Sequence, residues 1–179
     1  QGAFGGSFLN HQYLISAAVP VYPDAANSVA KSQIATLEGD DPKGTRLKPL
    51  EKSPPSAMTG APQFGPSAIT PDGYAVNTMA PPYWPTWIRD PERPDYSKPD
   101  LPSVLVPQNH EHIGDKLSKK NIDCAWYAGA WQATLDQFKD SGTLPKIPNF
   151  QYHHQPFNYF VQQGPQNPLE RSKRLRDGG

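Results

Sequence analysis

Proline stands at 22 of the chain's 179 positions, far above the roughly 5% of ordinary usage. A proline carries no backbone N–H and a fixed φ, so it breaks helix interiors and is excluded from central strands. Its distribution here is uneven. Between Pro20 and Pro107 it recurs every few residues, as at Pro54-Pro55, Pro62, Pro66, Pro71, Pro81-Pro82, Pro85, Pro91, Pro94 and Pro99. Regular structure is therefore expected at the two ends of the chain, with irregular backbone between them. The chain is also 11% aromatic, which a disordered linker is not. The middle is expected to be a long, ordered, irregular segment packed over something, and segments of that kind are usually functional.

The regular parts are legible from local pattern. Phe8, Leu9, Tyr13, Leu14, Ile15, Ala17 and Ala18 predict a largely buried helix over Ser7–Ala18, which Gly5-Gly6 keeps from starting earlier and Pro20 ends. Ser7 is the favoured type for its N-cap. A short helix is expected near Ala25–Ile34. Thr70-Pro71-Asp72-Gly73 is a turn sequence, and Tyr74 to Thr78 after it predicts a short strand and a small hairpin. Further on, Ile113–Lys120 predicts a helix, Ile122–Ala128 an apolar strand and Trp131–Lys139 an amphipathic helix. That order is the mark of an α/β unit with a buried, parallel strand. A basic helix is expected over Pro168–Arg176, capped by Asn167. One domain accounts for all of this: residues 1–19 as a helix, 20–107 as the proline-rich insertion and 108–179 as the helix–strand–helix region.

Several function classes are excluded. The 17 Lys and Arg balance the 17 Asp and Glu, so no global charge draws the chain to nucleic acid or to an anionic membrane. No apolar run reaches the about 18 residues of a membrane span. The single Cys124 rules out an internal disulfide framework. Walker A, G-x-G-x-x-G and H-E-x-x-H patterns are absent, and Gly5-Gly6-Ser7-Phe8-Leu9 lacks the last glycine of a nucleophile elbow. The chain opens at Gln1 without an initiator Met or a signal-peptide pattern, and it closes at Gly178-Gly179. It is expected to be an internal piece of a longer domain.

Candidate chemistry begins at Ser7. A serine at a helix N-terminus after two glycines sits where backbone N–H groups and the helix dipole converge, an environment that favours a phosphate or an alkoxide. It is equally the commonest kind of helix cap. Asn10 and His11 return to the same face one turn later. His110-Glu111-His112 is either a solvated turn or, if extended, a metal clamp from positions i and i+2. His153-His154 is either a packed aromatic corner or a donor to a phosphoryl oxygen. Cys124 is expected to be a small hydrophobe on its strand. Trp84, Trp87, Trp126 and Trp131 serve packing or line a pocket, and Arg171–Arg176 is expected to be a solvated face.

Four blocks then resemble one family. Phe4-Gly5-Gly6-Ser7-Phe8-Leu9-Asn10-His11-Gln12-Tyr13-Leu14-Ile15, Thr70-Pro71-Asp72-Gly73-Tyr74-Ala75-Val76-Asn77-Thr78, Ile113–Gly129 and His153-His154-Gln155-Pro156-Phe157-Asn158-Tyr159-Phe160 are similar to the acid phosphatase branch of the phosphoesterase family. That family also holds the non-specific phospholipases C. The resemblance implies an alkaline-phosphatase-like α/β/α sandwich carrying the Pro/aromatic-rich insertion. It implies Ser7 as a nucleophile that is activated by a divalent metal ion, contacts that ion and becomes phosphorylated. It places Asn10 and His11 beside the substrate and one of His153 or His154, His154 being favoured, on the phosphoryl group. It further implies a small phosphate ester or a phospholipid as substrate, and a periplasmic or secreted location. The family's Glu-Asn and Asp-rich metal motifs lie outside this chain, and Cys124 stands where a Trp is expected. Most metal ligands are thus missing, and the segment alone is expected to be inactive. The rival of another class is a proline-rich interaction module that docks on a partner's aromatic groove.

Overall fold

The computed structural model describes residues 6–35, 68–141, 147–148 and 150–179, apart from the side chains of 137–141. Pro54-Pro55, Pro62 and Pro66 lie outside the described residues. Helix α1 is Ser7–Ser16, α2 Ile113–Ser118, α3 Trp131–Ser141 and α4 Pro168–Arg174; strand β1 is Trp126–Ala128 and β2 Leu175–Asp177. Short 3-10 turns fill much of the rest, at Ala25–Asn27, Val29–Gln33, Tyr152–His154, Pro156–Tyr159 and Val161–Gln163.

Strands β1 and β2 pair in parallel, Trp126 opposite Leu175, Tyr127 opposite Arg176 and Ala128 opposite Asp177. Helices α3 and α4 connect to them directly, so the chain is a mixed helix and parallel-sheet structure of the α/β class. The parallel pairing matches the expectation for the Ile122–Ala128 segment, but the strand is shorter and less buried than its apolar content suggests. Ile122 and Tyr127 are exposed, and only Ala128 of β1 is buried. The predicted helix Pro168–Arg176 ends at Arg174. Buried Leu175 and its neighbours are taken by the ladder to β1, where tertiary pairing overrides local helical preference.

Helix α1 departs from expectation at both ends. Gly6 is the N-cap and Ser7 the first helical residue; among the described residues no side chain caps the helix. The helix stops because Ala17 turns left-handed (φ 52°) and its N–H bonds Tyr13 O at 2.9 Å, three residues before Pro20. Phe8, Leu9, Gln12 and Ile15 form its buried face, whereas Tyr13 is exposed and Leu14 is 68% exposed. The helix expected at Ala25–Ile34 is two separate 3-10 turns. The Thr70–Gly73 turn forms, with Gly73 N bonded to Thr70 O at 2.9 Å. Gly73 has φ +89°, and a Cβ there would come within 2.7 Å of Tyr22 O, so this position requires glycine. The strand expected after it is reduced to the isolated pairings Ile69–Ala75 and Val21–Tyr74.

Proline removes donors, so the carbonyls of the irregular segment need partners from elsewhere. Buried side chains supply them. Asn158 Nδ2 donates to Tyr83 O (3.0 Å) and Pro85 O (3.2 Å), and Ser97 Oγ donates to Pro81 O (2.5 Å). Tyr159 Oη donates to Met79 O at 2.7 Å. Gln108 Nε2 donates to Val21 O and to Val106 O, both at 2.8 Å, while Gln108 Oε1 accepts from Val21 N at 2.8 Å. Phe8 of α1 packs on Tyr159 with ring centroids 5.4 Å apart. One core thus joins α1, the proline-rich segment and the turns after His154.

Candidate active site

Ser7 opens α1, and its neighbours in space come from two places: the next turn of the helix and the 3-10 turn Tyr152–His154. Within the helix, Asn10 Nδ2 donates to Gly6 O at 3.2 Å, and His11 Nδ1 donates to Ser7 O at 2.6 Å. A carbonyl can only accept, so the proton of His11 in this bond sits on Nδ1. From the distant turn, His153 Nε2 lies 3.1 Å from Ser7 Oγ. The His154 ring stacks on His11, centroids 4.4 Å apart and planes within 10° of parallel. His153 stands edge-on to His154 at 4.4 Å. Asn10, His11, His153 and His154 therefore all gather at the start of α1.

Among the described residues, no side chain caps the first N–H groups of α1, and none comes within 4 Å of an ideal Cβ on Gly6. Those N–H groups and the positive end of the helix dipole lie beside Ser7. Burial pushes the His153 imidazole down to about 4, helped by the nearby rings of His154 and His11. Burial, then His11, also holds His154 below the ordinary imidazole value. Near neutral pH, His153 is thus an uncharged ring. Its Nε2 either accepts the Ser7 hydroxyl proton or donates to its oxygen, according to the tautomer.

The histidine turn is held from behind. Gln155 Nε2 donates to Gln151 O at 3.1 Å, and Gln155 Oε1 accepts from the Trp126 indole at 3.0 Å. Trp126 also stands edge-on to His11, 5.9 Å between centroids. Trp87, half-buried, meets Tyr152 edge-on at 6.0 Å. Neither Trp126 nor Gln155 carries a local sequence signal for such a place; Trp126 was one of four tryptophans open to packing or pocket duty.

The second histidine group behaves otherwise. His112 is fully buried, which overturns the solvated-turn reading of this residue, and both its ring nitrogens are engaged, which leaves no lone pair for a metal. Nδ1 accepts from Asp115 N (3.2 Å), so Nε2 carries the proton and donates to Gln163 Oε1 (3.0 Å). The Asp115 carboxylate accepts from His112 N at 3.0 Å, completing a reciprocal cap at the start of α2. Phe157 and Phe160 stand edge-on to the ring at 4.9 and 4.8 Å. His110 packs on Phe160, and Glu111 pairs with Lys116 and Lys119.

The basic tail is likewise not a solvated face. Arg174 is 1% exposed and donates through Nη1 to Cys124 O (2.8 Å) and Sγ (3.1 Å), and through Nη2 to Gly114 O (3.2 Å) and to Ser118 Oγ. Cys124 is half-buried and lies just before β1 rather than within a buried strand.

Among the described residues, no group of three or more His, Cys, Asp or Glu is arranged to hold a metal ion. The clustered imidazoles do not converge: His11 commits Nδ1 to a backbone carbonyl and stacks flat on His154. Ser7 offers one oxygen. The described residues thus do not fit a metal centre by themselves. No described helix is long and apolar enough to cross a membrane.

A model of the phosphoesterase family matches residues 1–178 of the chain. No curated protein and no solved structure matches it.

Proposed function

The chain belongs to the phosphoesterase family, and from that premise we propose that it hydrolyses phosphate esters with Ser7 as nucleophile and His153 as its hydrogen-bonding partner. The observation that carries the assignment is the 3.1 Å contact between Ser7 Oγ and His153 Nε2, at the head of a ten-residue helix. A neutral His153 with its proton on Nδ1 orients the hydroxyl and accepts its proton as Oγ attacks phosphorus. The phosphorus–oxygen bond to the leaving group breaks, the departing alkoxide takes a proton from solvent, to which His153 returns the one it received, and the phosphoryl group stays on Ser7. Water then attacks the phosphoserine, releasing phosphate and restoring the hydroxyl. Throughout, the N–H groups of the first turn face the phosphoryl oxygens, a placement in which donors aimed at developing charge contribute most.

His154 and His11 complete the reading. The His154 ring stands edge-on to His153 and is backed by His11; an anionic ester entering there favours the protonated form of His154, which then donates to a phosphoryl oxygen. Asn10 fixes the Gly6 carbonyl and hence the direction in which Ser7 leaves the helix. The parallel β1–β2 pair with its flanking helices accords with an alkaline-phosphatase-like sandwich, the architecture proposed here. A phosphomonoester is the proposed substrate, and a phospholipase C-type diester is the alternative within the family.

The experiment is a substitution with two substrates. Ser7→Ala in the intact natural protein is expected to lower turnover of p-nitrophenyl phosphate at least about a thousandfold. Acid quenching during turnover should trap phosphate on the peptide containing Ser7. Turnover preserved in Ser7→Ala would refute the assignment. Hydrolysis of p-nitrophenyl phosphorylcholine in preference to the monoester would move the function to the diesterase side.

A further inference from the structure

We propose that Trp126 and Gln155 form a positioning clamp that sets the histidine turn against Ser7. Neither touches Ser7, but each acts on groups that do. Gln155 is 6% exposed and its amide spans the turn that carries His153 and His154. Its Nε2 donates back to Gln151 O at 3.1 Å, and its own backbone N–H bonds Tyr152 O at 3.3 Å. The turn is thus closed from both sides of one residue. The other end of that amide is anchored, because Oε1 accepts from Trp126 Nε1 at 3.0 Å.

Trp126 in turn has a fixed base. It sits on β1, in register opposite Leu175 of β2, and its ring meets Phe157 edge-on at 6.4 Å. The same indole meets His11 edge-on at 5.9 Å, and His11 stacks on His154. One side chain therefore constrains the imidazole cluster along two routes. The first runs through the Gln155 amide to the backbone of the turn, the second through ring contact to His11. An indole N–H is a donor only and a primary amide both accepts and donates, so the direction of each bond is fixed. Glutamine replaced by a residue without an acceptor leaves the indole donor unpaired in a half-buried site, and opens the turn that holds His153.

The consequence for turnover rests on the reading of Ser7 and His153 given above; the geometric claim does not. The test uses Trp126→Phe, Gln155→Met and the double variant in the intact natural protein, with the ring nitrogen resonances of His153 and His154 read by NMR at one neutral pH. His153 Nε2 lies 3.1 Å from Ser7 Oγ, and Ser7→Ala gives the His153 Nε2 shift without that contact. In either single variant the shift is expected to move clearly toward the Ser7→Ala value, and the double variant should move no further than the larger single. Turnover of p-nitrophenyl phosphate should lose at least about tenfold in kcat with KM held within about twofold, as expected for lost orientation. A merely structural role would lower the unfolding temperature without moving the His153 Nε2 shift, and that result overturns the clamp. Effects that add in the double variant overturn it as well. Should one single variant not fold, the other carries the same readout. If the His153 shift moves in the clamp variants while Ser7→Ala retains turnover, the clamp stands and the catalytic reading falls. If Ser7→Ala abolishes turnover while the shift stays fixed in the clamp variants, the reverse holds.

Discussion

Replacing His112 tests whether this buried imidazole is a cap and a core hydrogen-bond donor at once. His112→Ala removes the acceptor of the Asp115 N–H at the head of α2, a loss of about 1 kcal/mol for an N-cap. It leaves Gln163 Oε1 without its donor in a residue with 0% exposure, at a cost of about 1–3 kcal/mol. It also empties the space between Phe157 and Phe160, whose rings stand 4.9 and 4.8 Å from the imidazole. These effects overlap, and together they are expected to cost about 3–5 kcal/mol, toward the upper range for a single substitution. His112→Asn restores a good cap and should recover about 1 kcal/mol of that. The acid behaviour follows from the same bonds. Burial, the leading cause, holds the imidazole below its ordinary value, with Arg174 acting in the same direction and Asp115 and the Gln163 bond opposing. The unfolded chain therefore binds the proton first. The stabilisation is complete above about pH 6.5 and drains away as pH falls below it, because a protonated Nδ1 can no longer accept from Asp115. Urea unfolding of wild type and both variants at several pH values between 4 and 8 measures each part. A loss under about 1.5 kcal/mol for His112→Ala at pH 7, below even the cap and orphan costs combined at mid-range, would refute the reasoning. An acid slope unchanged in His112→Asn would refute the linkage.

His153 makes a second acid contribution of the same sign. A midpoint moved from about 6.5 to about 4 is worth about 3 kcal/mol for an enclosed ring, and about 1–2 kcal/mol once solvent screening at this half-exposed site is counted. His153→Gln should remove that share of the stability lost between pH 6.5 and 4, as read by denaturant midpoints. Arg174→Met should cost about 2–4 kcal/mol in urea unfolding, because Gly114 O and Cys124 O lose a buried charged donor. Glu170→Gln should cost less than about 1 kcal/mol, because the Glu170 side chain is 38% exposed and its 2.9 Å contact with Arg174 Nε is not aligned as a hydrogen bond.

Local pattern revealed whatever local physics decides. The apolar spacing of Phe8, Leu9 and Ile15 placed α1, and Trp131 with Leu135 placed α3, because helices form from neighbours in sequence. The Thr70–Gly73 turn was legible because only glycine takes φ +89° beside Tyr22 O. Strand β2 was not legible. It consists of three residues whose partner, β1, is far away in the chain, and Arg174 just before it continues the helical pattern. His112 was missed as a cap because histidine is not among the preferred N-cap types, and its burial depends on Phe157 and Phe160 arriving from elsewhere. Around Ser7, the sequence placed Asn10 and His11 by helical spacing. What brings His153 within 3.1 Å of Ser7 Oγ is the packing of a distant turn, which no local pattern encodes.

The described part of the proline-rich segment bears on the rival reading as an interaction module. A polyproline ligand must offer its prolines to a partner's groove. Pro81, Pro82 and Pro85 are buried, and the carbonyls of Pro81 and Pro85 are taken by Ser97 and Asn158. These prolines face inward. Asn158 belongs to the turn Pro156–Tyr159, immediately after the residues that carry His153 and His154, and its amide grips the loop at Tyr83 and Pro85 together. Tyr159 of the same turn reaches Met79 O and packs on Phe8, in the first turn of the Ser7 helix. Hydrogen bonds and ring packing thereby join the irregular segment, the turn that follows His154 and the head of α1. Proline suits it because a backbone with few free N–H groups and fixed φ loses little entropy on ordering. Its carbonyls then remain open to the side chains that brace the site. Irregularity in this chain is part of how the histidine turn is held: Trp87 of the proline-rich segment meets Tyr152 edge-on, and the Trp126–Gln155 pair bonds the same turn at Gln151 O.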